Sequence, residues 1–185
     1  MASILQRAPD FKANAVRGHG EEVEVSLAAW RGRWGVLLFY PRDFSVVCPT
    51  EIVELSKRAG ELASLGAEVV AMSVDPLERH RQWIAERLGP VAIPLAADPS
   101  GAVARAYGAL LDEGVAARAT FVVDPQGVIR YAAFHDPAVG RSISEILRVL
   151  EALQSGGPVP AEWRRGDATP GRSSPRRGGR GTDGP

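Results

Sequence analysis

The chain has 185 residues, 45% of them apolar, which is enough for one sizeable core and too little for two ordinary domains. Its 22 basic and 22 acidic residues balance, so the overall charge does not indicate a nucleic-acid or membrane partner. The single cysteine excludes an internal disulfide, and no apolar run has the length of a membrane span or signal peptide, so we expect a cytoplasmic protein.

Predicted strands and helices alternate along the chain. Strands are predicted where apolar residues alternate or run continuously, at 22–27, 35–40, 67–74, 93–97, 119–123 and 128–134. Helices are predicted where apolar residues recur every three or four positions, at 51–65, 76–88, 101–107 and 142–153. The Pro and Gly of residues 124–127 predict a tight turn, so the last two strands form a hairpin. This order predicts an α/β fold with a central mixed β-sheet flanked by helices.

The composition changes near the C-terminus. We expect a domain at 1–154, a C-terminal arm at 155–163 and a disordered tail at 164–185. The tail has six arginines, two aspartates and no apolar residue larger than alanine, so it cannot bury enough surface to offset its ordering entropy. Its RRGGRG stretch is similar to RNA-binding segments, but such arginines are more often solvent-exposed charge, so nucleic acid is not an expected partner.

The only cysteine, Cys48, lies in the stretch FYPRDFSVVCPTEI, between a predicted strand end and a helix. Pro49 suits the first turn of a helix, and Ser45 is available as a cap. A sulfur there faces unpaired N–H groups and the positive end of the helix dipole, which favour the thiolate; the alternative is a small, inert, buried residue. Ionisation alone gives little acceleration, because a more acidic thiol is a weaker nucleophile. A fast reaction therefore needs hydrogen-bond donors for the oxygen that leaves.

The stretch around Cys48 resembles the peroxiredoxin signature P-x-x-x-S/T-x-x-C, with Pro41, Ser45 and Cys48 at its fixed positions. The resemblance continues through APDF, SVDPLERHRQW, RATFVVDPQG, VGRS and PAEW, and so covers nearly all of the chain except the tail. It points to the alkyl hydroperoxide reductase C and thiol-specific antioxidant type. That type implies a thioredoxin-like fold and a homodimer or a ring of dimers.

The resemblance also implies roles for individual residues. Cys48 would be the peroxidatic thiolate, which attacks hydrogen peroxide or an alkyl hydroperoxide and becomes a sulfenic acid. Arg118 would donate hydrogen bonds to the sulfur and the peroxide, Ser45 would bind the peroxide, and Pro41 would shield the sulfur from water. Supporting residues that orient Arg118 would be Glu51, Arg141 and Trp83. We expect His80 to pack or cap rather than to take part in catalysis.

The sequence departs from the two-cysteine pattern near the C-terminus. Where those members carry a resolving cysteine, the stretch GGPVPAEW has Val159. We therefore expect a one-cysteine mechanism in which an external thiol, either a thioredoxin-like protein or a low-molecular-weight thiol, reduces the sulfenic acid. No cofactor or metal is expected, because the three histidines and one cysteine show no ligand spacing.

Two other functions stay open at this point. A thioredoxin-type oxidoreductase is disfavoured, because Glu51 stands where the second cysteine of a C-x-x-C pair would be. A peroxide sensor or holdase-like chaperone of the same fold would not need turnover at Cys48.

Overall fold

The computed structural model describes residues 2–169, in which seven strands form one mixed sheet. The strands are β1 (Lys12–Gly18), β2 (Glu21–Ser26), β3 (Trp34–Phe39), β4 (Ala67–Ser73), β5 (Val91–Ala97), β6 (Arg118–Val123) and β7 (Ile129–His135). They lie in the order β2-β1-β5-β4-β3-β6-β7. The pairs β3/β4 and β4/β5 are parallel and the other pairs are antiparallel. The predicted mixed sheet and the β6/β7 hairpin are confirmed.

Helices cover the sheet. They are α1 (Cys48–Lys57), α2 (Ala59–Ser64), α3 (Leu77–Trp83), α4 (Ala102–Ala106) and α5 (Ile143–Gln154), with a 3₁₀ turn at Leu27–Trp30 and a π-helical turn at Ile84–Leu88. Alternate residues of β3 enter two separate apolar clusters, Leu38 with Ile52 and Leu150 in one and Leu37 with Tyr107 in the other. Because successive side chains of a strand point to opposite faces, each face of the sheet has its own core.

Two predicted helices are each interrupted. The segment predicted as one helix at 51–65 breaks at Arg58, whose guanidinium turns towards Glu61 and Ser144. Leu55 and Leu62 lie on either side of the break and are buried in the same cluster. The helical spacing of apolar residues therefore continues across the break, and the sequence pattern does not reveal it. The second predicted helix begins one residue after Pro76 and changes to π-helical geometry after Trp83.

The sequence pattern did not predict β1 or the 3₁₀ turn. In β1 only Ala15 and Val16 are buried, so the apolar alternation that marks a strand is weak. The strand forms because it fills the place between β2 and β5, pairing antiparallel with both. Here tertiary pairing determines the structure where local preference does not.

The sheet brings distant segments of the chain to one end of β3. Phe39 ends β3 and lies opposite Ala119 of the antiparallel strand β6. Arg118, the first residue of β6, therefore lies beside the loop that leaves β3 and leads to Cys48.

Residues 155–169 follow α5 as turns and irregular structure, with Trp163 buried. The proposed division of the chain at 154 and 163 stays a prediction. Most of the tail predicted to be disordered, residues 170–185, lies outside the described residues. Within residues 2–169, no helix combines the length and the apolar character needed to cross a membrane.

Gly35 of β3 offers a test of the core, because a Cβ atom there would lie 1.9 Å from Cε3 of the buried Trp30. We expect Gly35→Ala to lower the free energy of unfolding by about 1–3 kcal/mol, as overpacking does. Gly60→Ala in α2 is the matched control, since its Cβ would meet nothing within 4 Å, and it should raise that free energy by about 0.5–1 kcal/mol. Denaturant titration measures both, and equal stability of Gly35→Ala and the parent would contradict this packing.

Candidate active site

Cys48 is the first residue of α1, and its side chain is fully buried. Pro49 follows in the first turn, as the sequence predicted. The N-cap residue is Val47, which offers no side-chain cap, while the backbone N–H of Cys48 donates to Oγ of Ser45 at 3.3 Å. Ser45 thus satisfies one N–H group at the helix start from three residues away.

The guanidinium of Arg118 contacts the sulfur directly. Its Nη1 lies 3.4 Å from Sγ of Cys48 and 2.6 Å from Oε2 of Glu51. Its Nε and Nη2 both donate to the carbonyl oxygen of Pro137, at 3.1 Å and 2.8 Å. The side chain is 2% exposed and is held from two directions, so its position beside the sulfur is fixed before any substrate enters.

Arg141 holds Glu51 from the other side. Its backbone N–H and its Nε donate to Oε1 of Glu51 at 2.7 Å and 2.9 Å, and its Nη2 donates to Oε2 at 2.8 Å. Its Nη1 donates to the carbonyl oxygens of Phe39 at 2.7 Å and Ala119 at 2.9 Å, where β3 and β6 meet. Paired hydrogen bonds between a guanidinium and a carboxylate fix direction as well as distance.

Two arginines and one glutamate give this buried group a net positive charge. Burial raises the pKa of Glu51, but the hydrogen bonds and charge of Arg141, together with the charge of Arg118, outweigh burial and hold that pKa below its ordinary value of 4.5. Glu51 is therefore a carboxylate at neutral pH, and with two guanidinium groups it leaves one net positive charge. That charge lies against the sulfur of Cys48.

A pocket of about 430 Å³ opens beside this group. Its wall includes Pro41, Ser45 and Arg118. The remaining lining residues are mainly apolar with two charged residues, namely Arg42, Val46, Val47, Leu111, Glu113, Val115 and Pro137. A small polar molecule in this pocket meets the guanidinium that also contacts the sulfur.

The structure brings together six of the seven residues that the sequence indicated: Pro41, Ser45, Cys48, Glu51, Arg118 and Arg141. The seventh, Trp83, is buried with its ring against Tyr40 and Phe44, and its role towards Arg118 stays a prediction. No sequence pattern indicates the Pro137 carbonyl, because every residue carries a backbone carbonyl. Among residues 2–169, no three His, Cys, Asp or Glu side chains are grouped so that they could hold a metal ion.

Comparison with known proteins identifies the family. The model of the AhpC/TSA family matches residues 4–132. The chain belongs to this family. Relatives include a putative peroxiredoxin in the rubredoxin operon of Clostridium pasteurianum, 44% identical over 86% of this chain and 94% of that protein. Peroxiredoxin-2 of Macaca fascicularis is 44% identical over 91% of this chain and 89% of that protein.

Solved structures of the family agree with the fold. The reduced 2-Cys peroxiredoxin of Plasmodium vivax superimposes with a TM-score of 0.88 at 32% identity, covering 91% of this chain and 93% of that one. AhpC of Mycobacterium tuberculosis gives a TM-score of 0.81 at 33% identity, and the match covers 89% of this chain and 99% of that one. The thioredoxin-like fold and the peroxiredoxin class of enzyme predicted from the sequence are confirmed.

The ionised state of Glu51 leads to a prediction about pH. Glu51→Gln leaves two buried guanidinium groups around a neutral amide, so we expect the free energy of unfolding at neutral pH to fall by about 3–5 kcal/mol. Because the folded-state pKa of Glu51 is depressed, its stabilisation is complete above pH 4.5 and is lost as the pH falls through the folded-state value.

Urea titration of both proteins across the acid range measures this difference. The gap in stability between the parent and Glu51→Gln should narrow below pH 4.5. A gap that stays constant down to about pH 3 would contradict an ionised Glu51.

Proposed function

We propose that Cys48 is the peroxidatic residue of a thiol-dependent peroxidase that reduces hydrogen peroxide and alkyl hydroperoxides. The observation that carries the proposal is the 3.4 Å contact between Sγ and the buried, doubly anchored guanidinium of Arg118. An inert buried cysteine would have no use for such a charge beside it.

The first step forms a bond between sulfur and oxygen. The thiolate of Cys48 attacks one oxygen of the hydroperoxide, the O–O bond breaks, and the departing oxygen leaves as an alkoxide or hydroxide that takes a proton from solvent. Sulfur is oxidised to sulfenic acid and the peroxide is reduced to an alcohol or water. Negative charge moves from sulfur to the departing oxygen, and Arg118 lies beside the sulfur where it can stabilise both.

Ser45 and Pro41 complete the substrate pocket. The hydroxyl oxygen of Ser45 accepts from the N–H of Cys48, which leaves its O–H free to donate to a bound peroxide. Pro41 is buried and lines the same pocket, so it limits the access of water to the sulfur. A fixed donor loses little entropy when the substrate binds.

A thiol from outside the chain completes the cycle. One thiol condenses with the sulfenic acid to give a mixed disulfide and water, and a second thiol then releases Cys48 as a thiol and leaves as the disulfide of the reductant. Val159 occupies the place where two-cysteine members carry their resolving cysteine. Because Cys48 is fully buried, the start of α1 must move before the reductant reaches the sulfur. The reductant is a thioredoxin-like protein or a low-molecular-weight thiol.

A homodimer is the assembly that the sheet favours. β7 is the last strand at one edge of the sheet, and Phe134 on it is 51% exposed. At the start of β7, the backbone of Ile129 hydrogen-bonds to Leu5 and Gln6. Along the rest of the strand, β6 is the only strand paired with β7 within residues 2–169. An open strand edge is a template for another strand, so we place the dimer contact here. A ring of dimers and a cytoplasmic location stay predictions.

The alternative of a sensor or holdase-like chaperone has less support. A chaperone surface does not need a buried arginine held against a thiol, and replacing Cys48 would leave such an activity unchanged.

Substitutions at the site test the residue roles. We expect Cys48→Ser to abolish peroxide consumption, and Arg118→Lys to slow it by about 10²-fold or more, as loss of a preorganised donor does. Arg130→Lys is the matched control, because Arg130 is half-exposed and pairs with Asp124 away from the site. Peroxide consumption with excess dithiothreitol measures all three, and full activity in Cys48→Ser would refute the proposal.

The fate of the oxidised sulfur tests the one-cysteine mechanism. After one equivalent of hydrogen peroxide, intact mass spectrometry should show one added oxygen atom and no covalent dimer, because the chain has no resolving cysteine and Cys48 is buried away from other chains. Addition of a small thiol should restore the original mass through a mixed disulfide. A stable disulfide-linked dimer as the main product would contradict this mechanism.

A further inference from the structure

A second buried polar cluster lies beside the loop that carries Ser45. The side chains of Asp43 and His80 are fully buried, and Nδ1 of His80 lies 2.7 Å from Oδ2 of Asp43. The hydroxyl of Tyr40 donates to Oδ1 of Asp43 at 2.9 Å. On the other side of the imidazole, Nε2 lies 3.2 Å from the carbonyl oxygen of Ala96. The residues of this cluster are distinct from those that contact Cys48.

The ring of His80 has polar contacts on both sides. Nδ1 faces Oδ2 of Asp43 and, at 3.3 Å, the hydroxyl of Tyr40, while Nε2 faces the carbonyl oxygen of Ala96. At 2.7 Å, the contact with Asp43 is the shortest of the three. Burial, and then the charge of Asp43, raise the pKa of Tyr40 well above its ordinary value, which keeps its hydroxyl protonated as a donor.

The loop held by this pair has a strained backbone. Phe44, between Asp43 and Ser45, has a φ of 56°, in the left-handed region that a bulky residue rarely adopts. Such a conformation persists only when the surroundings impose it. The backbone N–H of Asp43 donates to Oδ2 of Asp75 at 2.7 Å, and the ring of Phe44 packs against Trp83. The carboxylate of Asp43 is thus an anchor immediately before the strained residue.

We propose that His80 is a positioning residue for the peroxidase reaction. Its hydrogen bond with Asp43 holds the loop in the conformation that presents Ser45 to the peroxide and to the N–H of Cys48. His80 acts through Asp43 and the loop and does not touch the reacting atoms. This role rests on the proposed function of Cys48.

Two substitutions of His80 separate its contacts. In His80→Asn the amide nitrogen can take the place of Nδ1 and still donate to Asp43, while the contact with Ala96 is lost. In His80→Gln the amide nitrogen can take the place of Nε2, which keeps the contact with Ala96 and loses the one with Asp43. Each variant removes one buried hydrogen bond. Tyr107→Phe is the control, because it removes one part-buried hydrogen bond away from the site, to the carbonyl oxygen of Pro9.

Two quantities are measured for each protein. One is the rate constant for oxidation of Cys48 by hydrogen peroxide, and the other is the fraction of Cys48 present as thiolate, which is followed by ultraviolet absorbance. We expect Cys48 to be oxidised roughly 10- to 100-fold more slowly in His80→Gln than in the parent, since a displacement of about 1 Å in a reacting site has effects of that size. The rate constants of His80→Asn and Tyr107→Phe should stay within about threefold of the parent, because both keep the contact with Asp43. The thiolate fraction should be unchanged, because the substitutions alter the position of Ser45 and not the ionisation of Cys48. Equal rates in His80→Asn and His80→Gln would overturn the proposal.

Nuclear magnetic resonance of the unsubstituted protein tests the hydrogen bond between His80 and Asp43 without depending on whether the variants fold. Nδ1 of His80 should carry a proton that is hydrogen-bonded to Asp43; an Nδ1 without a proton would overturn the proposal. Oxidation of the unsubstituted protein no faster than free cysteine would instead reject the proposed function of Cys48 and this role with it. A fast parent with equal rates in the two variants rejects the role of His80 alone.

Discussion

The site depends on one carboxylate shared by two buried arginines. Glu51 accepts four hydrogen bonds from Arg118 and Arg141, and all three side chains are buried. Removing one partner from such a group leaves an uncompensated charge in a medium of low dielectric constant, which is strongly destabilising. Glu51 and Arg141 therefore fix Arg118 in place, and Arg118 in turn places a positive charge against the sulfur of Cys48.

The fold brings these groups together at the point where several elements end. The pairing of Phe39 with Ala119 sets Arg118 beside the loop after β3, and Arg141 donates to the backbone carbonyls of both paired residues. Cys48 and Glu51 share the first turn of α1. The charge that we propose stabilises the reaction is thus held by the ends of β3 and β6, and a preorganised site needs little rearrangement as charge moves to the departing oxygen.

Most of this arrangement could be predicted from the sequence, and the remainder has physical reasons. The buried strands and α5 follow from the apolar period, and the spacing of Pro41, Ser45 and Cys48 indicated Cys48 as the candidate reactive residue. The break at Arg58 could not be predicted, because it leaves the apolar period of α1 and α2 intact. The Pro137 carbonyl and the hydrogen bond between His80 and Asp43 depend on contacts between distant segments, which a local pattern does not contain. His80 was visible in the sequence, but only its buried surroundings distinguish it from an ordinary helical histidine.

The most direct test of the account is stopped-flow tryptophan fluorescence of the reduced protein mixed with hydrogen peroxide, compared with free cysteine at the same pH and corrected for thiolate fraction. If Arg118 stabilises the transition state as its geometry suggests, Cys48 should react faster per thiolate than free cysteine by several orders of magnitude. A rate per thiolate equal to that of free cysteine would mean that the buried arginine pair serves only to hold the fold together, and would contradict the account.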